Sequence, residues 1–238
     1  MVSVQPNLLS KDGSVSRSSS AISKDGKYFA YALSQSGSDW TTIYVRLTSS
    51  PHSPTQAVGK DEGRLEEDVI RFVKFSSISW TADSSGFFYQ RFPKRDDSGT
   101  DTESDKDASV YYHRVGTPQS ADELIMEDAA NPSHMFYVGA TNDGAYVVLS
   151  TSRDTARSNT FAIAKLGEDR KIGKMDEFDW QRIVPEFGDY YSVLTNDGPL
   201  FYFYTNADGA SNYKIQTFNL DHPELVRRLK SSYLSRMC

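Results

Sequence analysis

The chain has 238 residues, 38% hydrophobic, 24% charged and 13% aromatic, with a net charge of −6 at pH 7 and a single Cys. Its length allows one large or two small domains, and three Trp, 14 Tyr and 13 Phe supply a sizeable core that a disordered chain would lack. One Cys excludes a disulfide framework or Cys-rich zinc site, apolar runs of only about five residues exclude a membrane-spanning helix, and an acidic balance without a basic stripe is a poor match to nucleic acid.

The elements follow a repeat, which is the first thing to seek in a chain of this kind. Ala21–Tyr31 carries Asp25-Gly26 ahead of an apolar and aromatic run, and Thr41–Leu47 follows as a second strand with period-2 alternation. Ser14–Ser20, upstream, reads as turn or loop. Val69–Phe75 is a further strand. Ile78–Tyr89 repeats the first pattern through an Asp83-Ser-Ser-Gly86 variant, followed by the strand Ser109–His113. Ala140–Leu149, around Asp143-Gly144, is followed by Thr160–Ala164. Leu194–Phe203, around Asp197-Gly198, is followed by Tyr213–Phe218. Asp-Gly between strand-like runs is a strong hairpin signal, because Gly accepts the positive φ of a tight turn. The glycines at 26, 86, 144 and 198 lie 54 to 60 residues apart. A unit of that size with about four strands is one β-propeller blade; a β-sandwich or barrel is the competing arrangement.

Two stretches interrupt the pattern. Residues 93–107 hold six acids and three bases, with a faint likeness to a calcium loop, but Gly and the closing Glu are out of register and a solvated loop is expected. The tail from His222 is basic and lacks a strand pattern.

Reactive chemistry is sparse. The sequence contains no Gly-x-Ser-x-Gly elbow, phosphate loop or dinucleotide fingerprint. His52, His113, His134 and His222 are isolated in sequence and read as surface or strand residues, and Cys238 has no evident His partner. No catalytic residue, metal ligand or cofactor is expected within the chain. No basic-then-apolar leader opens it, so a cytoplasmic protein is the default.

The repeats, taken with several longer stretches, resemble the propeller of the prolyl oligopeptidase (prolyl endopeptidase) family of serine peptidases. The stretches are Pro6–Gly13, Ser23–Trp40 with its Ser36-Gly-Ser-Asp-Trp40, Val73-Lys-Phe-Ser76 leading to Trp80, Val110–Thr117, Asn142–Ser150, and Tyr204–Asn206 with Asn212-Tyr213. The resemblance covers about residues 5 to 222. It implies an all-β fold: a partial β-propeller of about four blades from a seven-bladed ring, with the α/β-hydrolase domain and its Ser-Asp-His triad absent from this chain. The expected division is a leading segment at 1–20, a partial propeller at 21–222 and a divergent basic tail at 223–238, the whole being about half of a propeller in a longer protein.

The same resemblance implies site residues. Phe75 matches an aromatic of an apolar substrate pocket and Met135 an apolar partner in it. Arg153 matches an Arg that reaches the substrate backbone, after a one-residue insertion, and Asp39 matches an acid at the interface with the hydrolase domain. Without the family, Phe75 and Met135 would read as core side chains, Arg153 as a surface residue and Asp39 as a turn acid. The implied function is the lid of a post-proline peptidase that admits proline-containing short peptides and excludes large substrates, the chain alone being inactive. Its implied partners are such peptides and the hydrolase domain of the same full-length protein, with neither nucleic acid nor membrane. A peptide macrocyclase of the same family is one alternative. A non-enzymatic propeller scaffold is another.

Overall fold

The computed structural model describes residues 9–50, 61, 63–93, 105–153, 155–167, 172 and 177–222, and the backbone of 227–228. They form antiparallel strands in four groups, each counted outward from the centre. Blade 1 holds β1 (Val15–Ile22), β2 (Tyr28–Gln35), β3 (Thr41–Leu47) and β4 (Arg64–Val73); blade 2 holds β5 (Ser79–Trp80), β6 (Gly86–Arg91), β7 (Ser109–Arg114) and β8 (Glu123–Glu127). Blade 3 holds β9 (His134–Ala140), β10 (Tyr146–Arg153), β11 (Asn159–Lys165) and β12 (Trp180–Val184); blade 4 holds β13 (Tyr191–Asp197), β14 (Leu200–Thr205), β15 (Lys214–Asn219) and β16 (Arg227–Arg228). Blades 1 and 2 join through one pairing, Val73 with Arg91. The fold is the all-β partial propeller that the repeat spacing and resemblance imply. Among the described residues no helix is long and apolar enough to cross a membrane.

The aromatic strands have a physical purpose. A blade is covered on both faces, so its middle strands need apolar residues at successive positions rather than at alternate ones. On β6, Phe87 and Tyr89 enter the core with Ala30, Ile43, Val45 and Ile70 of blade 1, while Phe88 enters the core with Phe136, Val138 and Val147 of blade 3. Tyr146, Val148, Phe161 and Ile163 of blade 3 meet Phe201 and Phe203 of blade 4 in the same way. Each buried Phe contributes about 1.5–3 kcal/mol.

The Asp-Gly turns recur at one end of the blades. In blade 1 the Ser23 hydroxyl donates to Asp25 at 2.6 Å, the same carboxylate accepts the Lys27 N–H at 3.0 Å, and Gly26 has φ 75°. Thr81 with Asp83, and Thr141 with Asp143, repeat this arrangement. The expected glycine of the second turn is displaced. Ser84, at φ 60°, takes the left-handed position held by Gly26 and Gly144 elsewhere, while Gly86 opens β6. A Cβ on Gly86 would lie 2.1 Å from the His113 carbonyl oxygen, so that glycine is required by close approach and not by turn geometry. The turns are also tied to one another: the Asp25 N–H donates to Ser84 Oγ at 3.0 Å, Lys24 Nζ to Asn142 Oδ1 at 2.5 Å, and Asn196 Nδ2 to Asp143 Oδ2 at 2.7 Å.

Three local expectations change. Ser14–Ser20, expected as turn or loop, supplies most of β1, which the ladder to β2 holds although its side chains are largely exposed. The strand expected over Val69–Phe75 runs from Arg64 to Val73, with Phe72 at φ 60° as an irregularity within it, and Phe75 lies beyond its end at φ 50°. Tyr213, at φ 58°, precedes β15 instead of opening it. Of the solvated loop expected over 93–107, residues 94–104 lie outside the described residues, as do Pro6 to Leu8 of the first family stretch and the side chains of the tail from Pro223.

Candidate functional site

Antiparallel order carries the chain back and forth across each blade, so the end opposite the Asp-Gly turns gathers a second set of loops. These are 36–40, 74–78, 128–133, 185–190 and 206–213. Asp39, Phe75, Met135 and Arg153 all lie at this end, although up to 114 positions separate them in sequence.

Phe75 and Met135 come together there. Both line a cavity of about 700 Å³ with Asp105, Phe136, Tyr137, Ser150, Ser152 and Thr155. Phe75 is 54% exposed, an unusual state for a large aromatic in a left-handed backbone. Its backbone is held by Gln90, which is buried on β6. The Gln90 side-chain amide donates to the Phe75 carbonyl at 3.3 Å and the Lys74 carbonyl at 3.4 Å, while its Oε1 accepts the Phe136 N–H at 2.7 Å. One side chain thus links the Phe75 loop to the strand that carries Met135. Lys74 packs beside two of these residues: its ammonium lies 4.8 Å from the Phe75 ring centroid and 2.5 Å from Asp105, and 5.5 Å from the ring of Trp40. Gln90, Lys74 and Asp105 escaped the sequence reading, since no local pattern distinguishes a buried amide from a surface one.

The other two residues stand apart from the cavity lining. Arg153 ends β10 opposite His134, and its guanidinium covers the Phe187 ring at 4.4 Å, whereas the neighbouring Ser152 faces the cavity. Asp39 is exposed beside Trp40, whose ring approaches Lys74. Near the same rim, His134 Nδ1 is 3.1 Å from Asp128; burial opposes that carboxylate's charge, yet hydrogen bonds from Asn131 and His134 hold it below the usual range.

His113, expected at a surface or strand position, is a fully buried strand residue between blades 1 and 2. Nδ1 is 2.7 Å from Asp122 and Nε2 3.0 Å from Asp68. Burial opposes protonation, but the two carboxylates outweigh it and push the imidazole up to about 9. With both nitrogens engaged it cannot act as a general base. The cavity therefore offers apolar surface, hydroxyls and the Asp105 side of an ion pair, and among the described residues no nucleophile and base meet in it.

The comparisons bear on the family and the fold. Residues 2–235 match the family described as prolyl oligopeptidase, N-terminal β-propeller domain. Prolyl oligopeptidase A of Amanita bisporigera is 48% identical over 92% of this chain and 29% of its own length. The dual function macrocyclase-peptidase POPB of Galerina marginata is 40% identical over 92% of this chain and 30% of its own. The solved structure of prolyl oligopeptidase B from Galerina marginata, bound to a 25mer macrocyclization substrate, superposes with a TM-score of 0.83 at 39% identity, covering 94% of this chain and 30% of that one. The chain thus spans about 30% of the length of these relatives. On the family match, the repeated blades and the shared fold together, this chain belongs to the prolyl oligopeptidase family, within its N-terminal β-propeller domain.

Proposed function

We propose that the chain is the propeller lid of a cytoplasmic serine-type prolyl oligopeptidase that cleaves short peptides after proline. The observation that carries this reading is the meeting of Phe75 and Met135 in one cavity, at the end of the blades opposite the Asp-Gly turns. An aromatic face and a thioether suit a tolerant apolar subsite, and serine hydroxyls at its edge suit a peptide backbone. The reacting groups would come from an α/β-hydrolase domain of the same full-length protein, which this end of the propeller would cover, with Asp39 at the seam and Arg153 near the peptide. There His would take the serine proton as the serine oxygen bonds to the proline carbonyl carbon, and would pass it to the amine as the C–N bond breaks. Water would then hydrolyse the acyl ester to the acid and restore the serine hydroxyl.

The test is turnover of short proline-containing fluorogenic peptides by the full-length protein and by the 238-residue chain. Cleavage after proline by the first and none by the second is expected. Turnover by the pure chain would overturn the inactive-lid reading, and full-length protein that cleaves equally well after other residues would overturn the post-proline one.

A further inference from the structure

Tyr137 sits where two cavities meet. It lines the Phe75–Met135 cavity and also a second cavity of about 570 Å³, bordered by Ile22, Lys24, Asn142, Leu194 and Asn196 of the inner strands and Asp-Gly turns. Alternation along β9 explains its position. Phe136 and Val138 are buried in the core between blades 2 and 3, Phe136 also touching the cavity, while Met135 and Tyr137, at the intervening positions, are more open and line the cavity. A tyrosine on an inner strand would ordinarily be packed away, yet this one is 43% exposed, and among the described residues its hydroxyl has no hydrogen-bond partner.

The ring's course is set by Gly139, two residues on. A Cβ there would lie 2.7 Å from the Tyr137 hydroxyl oxygen and 2.7 Å from Ser79 Oγ, so the ring runs back over a position that only glycine leaves open. The ring therefore divides the substrate-side cavity from the axial one, with a free hydroxyl at the partition.

We infer that Tyr137 is a specificity-determining residue: it forms the floor of the pocket that receives a peptide side chain against Phe75 and Met135, and it limits how large that side chain can be. This rests on the reading of the cavity as a peptide subsite. Removing the ring joins the two cavities and removes the limit. A larger ring raises the floor.

The full-length protein, its Tyr137→Ala, Tyr137→Phe and Tyr137→Trp variants, and proline peptides carrying Gly, Leu, Phe or Trp at each upstream position in turn form the test. At one upstream position, Tyr137→Ala should raise the kcat/KM ratio of Trp over Gly peptides about ten-fold, the discrimination a change in apolar pocket size supports. Tyr137→Trp should lower that ratio, and Tyr137→Phe should leave it within about three-fold, since the ring remains. The opposite signs for Ala and Trp keep the test decisive if one variant fails to fold. Ratios within about two-fold of wild type at every position for both Ala and Trp variants, or a Phe variant that behaves like Ala, would overturn the inference. Wild-type protein that cleaves none of the peptides would remove the subsite reading itself, and this inference with it.

Discussion

Gln90 Oε1 accepts the backbone N–H of Phe136 at 2.7 Å, and through this bond blade 2 holds the inner strand of blade 3 in place. Because the same side chain donates to the Phe75 carbonyl, the two walls of the cavity share one fastening. Gln90→Ala would leave a buried N–H without a partner, at a cost of about 1–3 kcal/mol, and should also misalign Phe75. A lowered Tm together with a raised KM for proline peptides is expected. A change in Tm with unaltered KM would separate Gln90 from the cavity's geometry.

Phe75→Ala in the full-length protein should weaken peptide binding more than it slows acylation, raising KM while kcat changes little. A loss of about 1.5–3 kcal/mol corresponds to removing a large apolar contact. KM unchanged across several peptides would take Phe75 out of the binding surface.

The His113 contact between blades predicts a stability that fails in alkali. Its pKa is raised above the ordinary 6.5 to about 9, so its contribution is complete below 6.5 and disappears as pH climbs through 9. The displacement is worth on the order of 3 kcal/mol at roughly 1.4 kcal/mol per unit. Chemical denaturation between pH 6 and 10 should show this decline in the wild type, and His113→Gln should be less stable at pH 6 and flat across the same window. A wild-type profile without the decline would mean that His113 is neutral in the folded chain.

Two glycines should respond differently to alanine. Gly26→Ala meets open space at φ 75° and should cost about 1 kcal/mol, the price of a left-handed alanine. Gly86→Ala drives a Cβ to 2.1 Å from the His113 carbonyl oxygen, across the ladder between β6 and β7, and should cost several times more. Equal losses in urea denaturation would show that β6 and β7 shift apart readily.

The four-fold recurrence was legible because blades are local. Asp25, Asp83 and Asp143 each cap their own turn within two residues, and the aromatic run that follows records a strand covered on both faces. Ser84 was harder to read, since a left-handed serine leaves no mark in sequence when a glycine stands two positions later. β1 was missed for a related reason: a serine-rich strand at the inner edge is held by its backbone ladder, which composition does not report.

By itself the sequence determined the class of fold and the number of repeated units, because hairpin turns and alternating side chains act within a few residues; the family came from the resemblance of longer stretches such as Ser36–Trp40 and Val73–Ser76. Which residues share a surface was decided only in three dimensions. Phe75 lies 60 positions from Met135, Asp68 lies 45 from His113, and Tyr137 separates two cavities that no stretch of chain contains. Those relationships depend on how one blade packs against the next. That packing is set by the summed burial of Phe87, Phe88, Phe201 and their neighbours, and such a sum exists only after the chain has folded.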